Sequence, residues 1–486
     1  MVDKLSTSVK NQRKDSGEED TTGVSPWSFI HGLLSVTIEH MTVRELRAKH
    51  PRLIFDGFKI QRSRENLAIR FHITLEPNTI FLSTLTLPLG EQTSEEAINL
   101  FAFHLGLMEC VSYWKAACPA ELVVKAGSLN QEQIAWWHDL FLYGLGEFFY
   151  KNNIDFTQSG FFSIHSVIPA GVYPVPRYGK PGSHRMPDQV RHDNRRGDLV
   201  LLGGGKDSAV TLELLKNSGT PTRPLVLNPT RAILDNIKIS GYTDPLIASR
   251  TIDPTLLKLN NIGYLNGHTP FSAYLAFLGM FVAVLHGYEH VIVSNEASAS
   301  DGNVTFHGME INHQYSKSFR FETMFRDYVK KYLTNKHTYF SFLRPLNELQ
   351  ISRLFSRFPQ YFPSFRSCNV GSKTDSWCGK CAKCAFVYLS LYPFVSQKQM
   401  QLIFGSDLFT KPEIIGHIRD LVGLGTQKPF ECVGTKEEAK LALSLCNAPA
   451  LSELKKEIGA VDETILSVWN NDHVVPEEYT KLLSIN

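Results

Sequence analysis

The sequence predicts an α/β protein: a doubly wound parallel sheet over residues 196–395, an α+β domain before it at 27–195, and a helical region after it at 396–486. Three observations carry that expectation. Between 196 and 395, apolar runs at 199–202, 224–227 and 291–294 alternate with helical patterns at 209–216 and 270–286, the rhythm of βαβ units. Glycines at 203–205 join the first of those strands to the first of those helices, where open parallel sheets hold ligands. A chain of 486 residues is also long enough for two or three domains.

Residues 1–26 are polar, carry both signs of charge and contain no apolar stretch, which predicts a disordered tail. Glu18, Glu19 and Asp20 argue against a transit peptide, and nothing there reads as a signal peptide. In the α+β domain, 58–61, 67–75 and 80–87 alternate or run apolar and read as strands. Helical patterns at 94–117 and 131–152 flank a strand-like 122–125. Trp114, Trp136, Trp137, Phe148, Phe149 and Tyr150 read as core. The stretch 169–194, rich in Pro, Gly, Arg and His, reads as a linker. The longest apolar run, 273–285, is too short to span a bilayer, and Thr269 and Pro270 suit the N-cap and first turn of a buried helix. A net charge of +2 leaves no electrostatic footprint for nucleic acid, and the short basic run at 191–196 reads as solvated loop. No membrane segment is expected, and the protein reads as soluble and cytoplasmic.

Four constellations carry chemistry. Gly203, Gly204 and Gly205, followed by Lys206, Asp207 and Ser208, form an anion site, because backbone N–H groups and a helix N-terminus converge there. It is not a Walker loop, since Asp207 follows the lysine where Ser or Thr is required. Cys378, Cys381 and Cys384 are spaced Cys-x2-Cys-x2-Cys, and Cys368 completes four thiolates; structural zinc is the expected occupant, an iron–sulfur cluster its rival. Four of the eight cysteines crowd into 368–384, which argues for metal in a reducing compartment. Cys110, Cys118, Cys432 and Cys446 read as small buried hydrophobes. Asn295 and Glu296, at the carboxyl end of a strand, suit Mg²⁺ or a substrate ammonium or hydroxyl, or else a capping role. His313 and Lys317 are candidates for a general base or a phosphate contact, whereas His268, His286, His290 and His307 read as loop or core histidines. Arg344 suits a carboxylate or phosphate, with a cap or surface role as the alternative.

The 203–208 loop resembles the pyrophosphate loop of ATP pyrophosphatases, Ser-Gly-Gly-x-Asp-Ser, with Gly203 in place of the serine. That resemblance implies a PP-loop sheet, cleavage of ATP between its α and β phosphates, and transfer of AMP to a substrate oxygen. Phe101–Gly106, the Trp136-Trp137 pair, Gly144–Tyr150, Ser294–Asn303, Asn312–Ser318, Trp377-Cys-Gly-x-Cys and Pro429–Gly434 together resemble the UDP-N-acetyl-α-D-muramoyl-L-alanyl-L-glutamate epimerases, over about residues 30–440. The cysteine knuckle alone also resembles 7-cyano-7-deazaguanine synthases, and an AMP-forming ligase or synthase of that kind is the alternative. A non-catalytic nucleotide-binding protein is a third reading, against which the intact Lys-Asp-Ser tail counts. The epimerase resemblance implies ATP-dependent inversion of the terminal L-glutamate of a UDP-linked muramoyl dipeptide, with release of AMP and pyrophosphate, in peptidoglycan precursor synthesis. It also implies roles. Gly203, Gly204, Gly205 and Ser208 hold pyrophosphate, while Lys206 and Mg²⁺ meet the developing phosphate charge. Asp207 contacts the metal, and Glu296, His313 and Lys317 are candidates for proton transfer on the two faces of the α-carbon.

Overall fold

Alternating apolar residues build the first part of the sheet. In the computed structural model, which describes residues 41–91, 94–167 and 197–483, β1 (Arg52–Arg62), β2 (Asn66–Leu75) and β3 (Thr79–Pro88) form an antiparallel meander. The tail expected at 1–26, the linker at 169–194 and the basic run at 191–196 lie outside the described residues. In β2 every second side chain from Leu67 to Leu75 is buried, the signature of one wet and one dry face. β4 (Glu121–Val124) and β5 (Ser163–Ser166) continue the sheet in parallel beyond β1.

The second part is parallel. It comprises β6 (Asp198–Leu201), β7 (Thr222–Leu227), β8 (Leu246–Thr251) and β9 (His290–Val293). After a separate hairpin of β10 (Val304–Phe306) and β11 (Met309–Ile311) comes β12 (Thr338–Ser341). Ten strands form one mostly parallel sheet in the order β12-β9-β6-β7-β8-β3-β2-β1-β4-β5. Its parts join where Thr84–Thr86 of β3 pairs antiparallel with Ser249–Thr251 of β8, so the boundary read at 195/196 coincides with no break in the sheet. Strand order reverses at β6: β7 and β8 follow on one side, β9 and β12 on the other. Such a reversal opens a crevice at the carboxyl ends of the two diverging strands.

Two buried helices pack against the sheet, and the second of them lines the crevice. Helix Glu95–Trp114 starts at Ser94, whose side chain accepts the Ala97 N–H, and every residue from Leu100 to Trp114 is buried. It packs between β1 and β2 and helix Phe271–His286. The latter lies directly on β6 and β9, where only glycine fits at 279: a Cβ there would stand 2.8 Å from Val291 Cγ1 and 2.9 Å from Leu201 Cδ1. Pro270, and not Thr269, holds its N-cap position, without a side-chain cap; the Thr269 carbonyl accepts the Phe271 N–H instead. The helical stretch at 131–152 is two helices, Gln131–Gly144 and Gly146–Lys151. Trp114, Trp137, Phe148 and Phe149 are core, as their composition suggested. The chain beyond 396 is mainly short helices, and near its end the Tyr479 hydroxyl donates to Asp198 Oδ1 at the root of β6 (2.7 Å). No helix among the described residues is long and apolar enough to cross a membrane.

Candidate active site

The glycine loop leaves β6 at the reversal point. Gly204 adopts φ +77°, and a Cβ on it would lie 2.7 Å from Ile233 Cγ1, so the left-handed conformation and the close approach both require glycine. Its carbonyl accepts from Arg366 N–H (3.1 Å) and Asn236 Nδ2 (2.8 Å), which fixes the turn. Gly205 is the N-cap of helix Lys206–Leu215, and the Gly203 N–H donates to Ser208 Oγ at 3.1 Å. A Cβ at Gly203 would meet nothing within 4 Å, so the position leaves room for the serine that the loop lacks.

A cavity of about 270 Å³ opens at this loop, lined among others by Gly205, Asp207, Ser208, Glu296, Lys317 and Cys432. Gly203 and Asn295 also line it, so the loop and the β9 terminus share one space. Asn295 Nδ2 donates to Ser341 Oγ at 3.0 Å, linking β9 to β12.

Three carboxylates, Asp207, Glu296 and Glu348, bring oxygen atoms within 4.8 Å of one another. The buried Lys206 ammonium donates to both Asp207 and Glu348. Burial works against the charge on Lys206, but the two carboxylates outweigh it and raise its pKa. Burial pushes Glu296 and Glu348 up, with like charge from Asp207 adding to it. Asp207 resists its own burial because Lys206, Lys383 and Lys317 hold it below the usual range. Arg344, fully buried, bonds Glu322 through Nε (3.2 Å) and Nη2 (3.1 Å) and donates to the carbonyl oxygens of Glu296 and Lys317. It is a clamp on the backbone of two site residues; the carboxylate it serves belongs to the protein.

Around His313 the chain assembles a second group of polar residues. His313 Nδ1 bonds Glu147 Oε2 (2.5 Å), and its N–H donates to Asn303 Oδ1 (2.8 Å). His268 lies beside it, ring centroids 4.4 Å apart and planes tilted by 48°, with Nδ1 3.6 Å from Glu147. His268 therefore is no isolated loop histidine. Burial, His313 and Lys115 push it down to about 3. Lys317 Nζ lies 3.4 Å from Cys432 Sγ, which corrects the reading of Cys432 as a small buried hydrophobe. Cys110, Cys118 and Cys446 do behave that way, fully buried with thiols pushed up by burial.

The four remaining cysteines form a cage. Sγ atoms of Cys368, Cys378, Cys381 and Cys384 all lie within 4.8 Å of one another, with Cys368–Cys381 at 3.8 Å and Cys378–Cys384 at 3.7 Å. A tetrahedron with zinc–sulfur bonds of 2.3 Å has edges of about 3.8 Å, so the donor set fits one such ion. N–H groups of Gly371 and Cys384 point at Cys368 Sγ (3.3 Å) and Cys381 Sγ (3.5 Å), as partners of thiolates do.

The crevice draws on distant parts of the chain. Its loop, Glu296, His313 and Lys317 lie within residues 44–342, which match the family described as MurL N-terminal domain. Cys432, which lines it, and the separate cysteine cage lie within 364–472, which match the MurL C-terminal domain. The chain belongs to the MurL family. Three relatives carry the name UDP-N-acetyl-alpha-D-muramoyl-L-alanyl-L-glutamate epimerase. The relative from Salinispora tropica is 36% identical over 400 residues, 79% of this chain and 83% of its own. That from a Micromonospora species is 36% identical over 428 residues, 83% of this chain and 91% of its own. That from Xanthomonas oryzae pv. oryzae is 34% identical over 347 residues, 70% and 73%.

Sequence reasoning missed Glu348, Cys432, Glu147, His268 and Lys383. Two of them carried a signal: Glu147 lies in Gly144–Tyr150 and Cys432 in Pro429–Gly434, stretches that bore the family resemblance. Glu348 opens a helix that Asn347 caps, so its place in the sequence reads as a first-turn acid and nothing more.

Proposed function

We propose that this chain inverts the terminal L-glutamate of UDP-MurNAc-L-Ala-L-Glu to D-glutamate through an acyl-adenylate, consuming ATP and releasing AMP and pyrophosphate, as a step in peptidoglycan precursor synthesis. The observation that carries this reading is one cavity joining a glycine loop at a strand-order reversal to buried acid–base groups, in a chain whose relatives bear the epimerase name. The strand order and the loop's Lys-Asp-Ser tail support the PP-loop type.

Adenylation has a chemical reason. An ionised carboxylate opposes loss of the neighbouring α-proton, because the carbanion would form beside a negative charge. The mixed anhydride removes that charge and withdraws electrons, so a base can take the proton and an acid can return one from the other side. Gly203, Gly204, Gly205 and Ser208 bind the departing pyrophosphate, with Lys206 countering its charge. Asp207 offers one of the hard oxygen donors that Mg²⁺ takes, and that ion, when bound, supplies positive charge for the phosphates. Glu296, His313 and Lys317 remain candidates for proton transfer. Cys368, Cys378, Cys381 and Cys384 hold Zn²⁺ as a structural ion, the close sulfur spacing favouring one ion over a multi-iron cluster. ATP, a nucleotide-linked substrate and reduced thiols support a cytoplasmic setting. The cysteine cage alone favours the ligase-like alternative, and matches to both MurL segments outweigh it.

The test is incubation in deuterium oxide with ATP, Mg²⁺ and the UDP-linked L-alanyl-L-glutamate substrate. AMP together with α-deuterated D-glutamate is expected. AMP with unlabelled L-glutamate would refute epimerisation, and absence of AMP would refute adenylation.

A further inference from the structure

We infer that Cys432 is the group that exchanges a proton with one face of the glutamyl α-carbon, with Lys317 and His313 as its positioning residues. The inference deepens the epimerase reading and rests on it.

Cys432 shares the cavity with the glycine loop and Glu296, is half-buried, and lies in no disulfide and outside the cysteine cage. Among the buried cysteines Cys118 has a single cation, Arg47, at its sulfur (3.5 Å); Cys432 has several around it. Lys317 Nζ donates to Sγ at 3.4 Å, and His313, held through Nδ1 by Glu147, is near enough to act on the same sulfur electrostatically. Lys383 donates to the Cys432 carbonyl oxygen. The neighbouring backbone is pinned on both sides, by Asn303 Nδ2 on the Pro429 carbonyl (2.7 Å) and Gln314 Nε2 on the Val433 carbonyl (3.4 Å). A packing cysteine needs no such set of donors; a thiolate base does.

The electrostatics agree. Burial alone raises the thiol, yet Lys317, His313 and Lys383 bring it down to about 6. Cys118 and Cys446, each with a single opposing cation (Arg47 and Lys455), are still pushed up to about 12 by burial. His313 in turn is raised to about 9, because Cys432 and Glu147 outweigh the desolvation that opposes its charge. Both shifts favour a thiolate–imidazolium pair over the neutral one.

Geometry then divides the candidates. Each acid or base must lie roughly 3–3.5 Å from the reacting carbon, so two groups serving opposite faces stand about 6–7 Å apart. Lys317 donates to Cys432 Sγ and His313 acts on its charge, so both belong to its side and work through the sulfur. Glu296 remains for the other face. In the L-to-D direction the Cα–H bond breaks with its proton passing to Sγ, and the electron pair moves into the enolate of the adenylate. A new Cα–H bond forms with the proton of the Glu296 carboxylic acid, whose O–H electrons stay on the carboxylate. The thiol and the carboxylate regain their starting protonation by exchange with water.

The measurement is the ratio of α-deuterium incorporated to AMP formed, for wild type, Cys432→Ser and Cys432→Ala in deuterium oxide. A fall of about 100-fold or more in that ratio is expected in both variants. A folded Cys432→Ala that keeps the wild-type ratio overturns the inference alone. Wild type that forms AMP without incorporating deuterium overturns the epimerase reading, and this inference with it. A second measurement needs no Cys432 variant: iodoacetamide labelling of wild-type Cys432, followed by peptide mass mapping. Its rate should reach half-maximum near pH 6, and Lys317→Met and His313→Asn should each move that midpoint upward. A wild-type midpoint above pH 8 overturns the assignment.

Discussion

Gly203 and Gly204 are adjacent glycines with opposite requirements, and exchanging each for a larger residue separates loop geometry from loop chemistry. At Gly204, alanine must hold a left-handed backbone at φ +77°, a cost of about 1–2 kcal/mol. Its Cβ would also lie 2.7 Å from Ile233 Cγ1, and such overpacking adds about 1–3 kcal/mol. Reduced freedom of the unfolded chain offsets about 0.4–1 kcal/mol. The expected net loss for Gly204→Ala is about 1–5 kcal/mol. With an unfolding entropy of roughly 1 kcal/mol per kelvin for a chain this long, Tm falls by about 1–5 °C. At Gly203 the added side chain meets nothing within 4 Å, so Gly203→Ser should change stability by less than about 0.5 kcal/mol. Thermal and urea denaturation read the stability, and AMP release from ATP and substrate reads the loop. Gly204→Ala should lose AMP formation by about 100-fold, because a displacement near 1 Å at a positioned phosphate has that effect. Gly203→Ser should stay close to wild type. Wild-type stability and turnover in Gly204→Ala would refute the reasoning, as would a Gly203→Ser that unfolds.

Cys381→Ser should lower bound zinc and Tm together, with little change in AMP formation at low temperature; unchanged metal content by atomic absorption would remove the four-thiolate site. Arg344→Gln should cost about 3–5 kcal/mol, because it leaves the buried Glu322 carboxylate without its cation. Arg344→Met combined with Glu322→Met should recover most of that stability in denaturation experiments but not turnover, since the carbonyl clamp on Glu296 and Lys317 stays lost. Burial, with Glu289 and Glu478 adding to it, pushes the Asp198 carboxyl up to about 6 against the hydrogen bond from Tyr479. The folded protein therefore binds this proton more tightly than the unfolded chain, and the penalty grows as pH rises from about 4 to about 6. Asp198→Asn should be more stable than wild type by about 2–3 kcal/mol above pH 6, with the gap closing below pH 4 in urea titrations.

Much of the fold was legible because local pattern and tertiary demand agreed. β6 and β9 are apolar runs buried on both faces, and glycines mark the turn after β6. β8 was not legible: in Leu246–Thr251 the residues Ser249, Arg250 and Thr251 are polar and at least partly exposed, and its place in the sheet comes from pairing with β7 and β3. β12, four residues with polar ends, and β5 were too short to show a period. In the site, the loop, the cage and Glu296 were visible because their residue types cluster in sequence. Lys206–Glu348 and Lys317–Cys432 were not, being pairs 142 and 115 residues apart that only folding brings together.

The β3–β8 pairing bears on how far the chain can be shortened. A fragment keeping only the glycine-loop half would present β8 with a bare edge and helix Phe271–His286 with an uncovered apolar flank where Glu95–Trp114 had rested. Both are templates for association with other chains. A minimal catalytic module therefore cannot be obtained by trimming at the sequence boundary; it would have to carry β1, β2 and β3 as a seal on its own sheet.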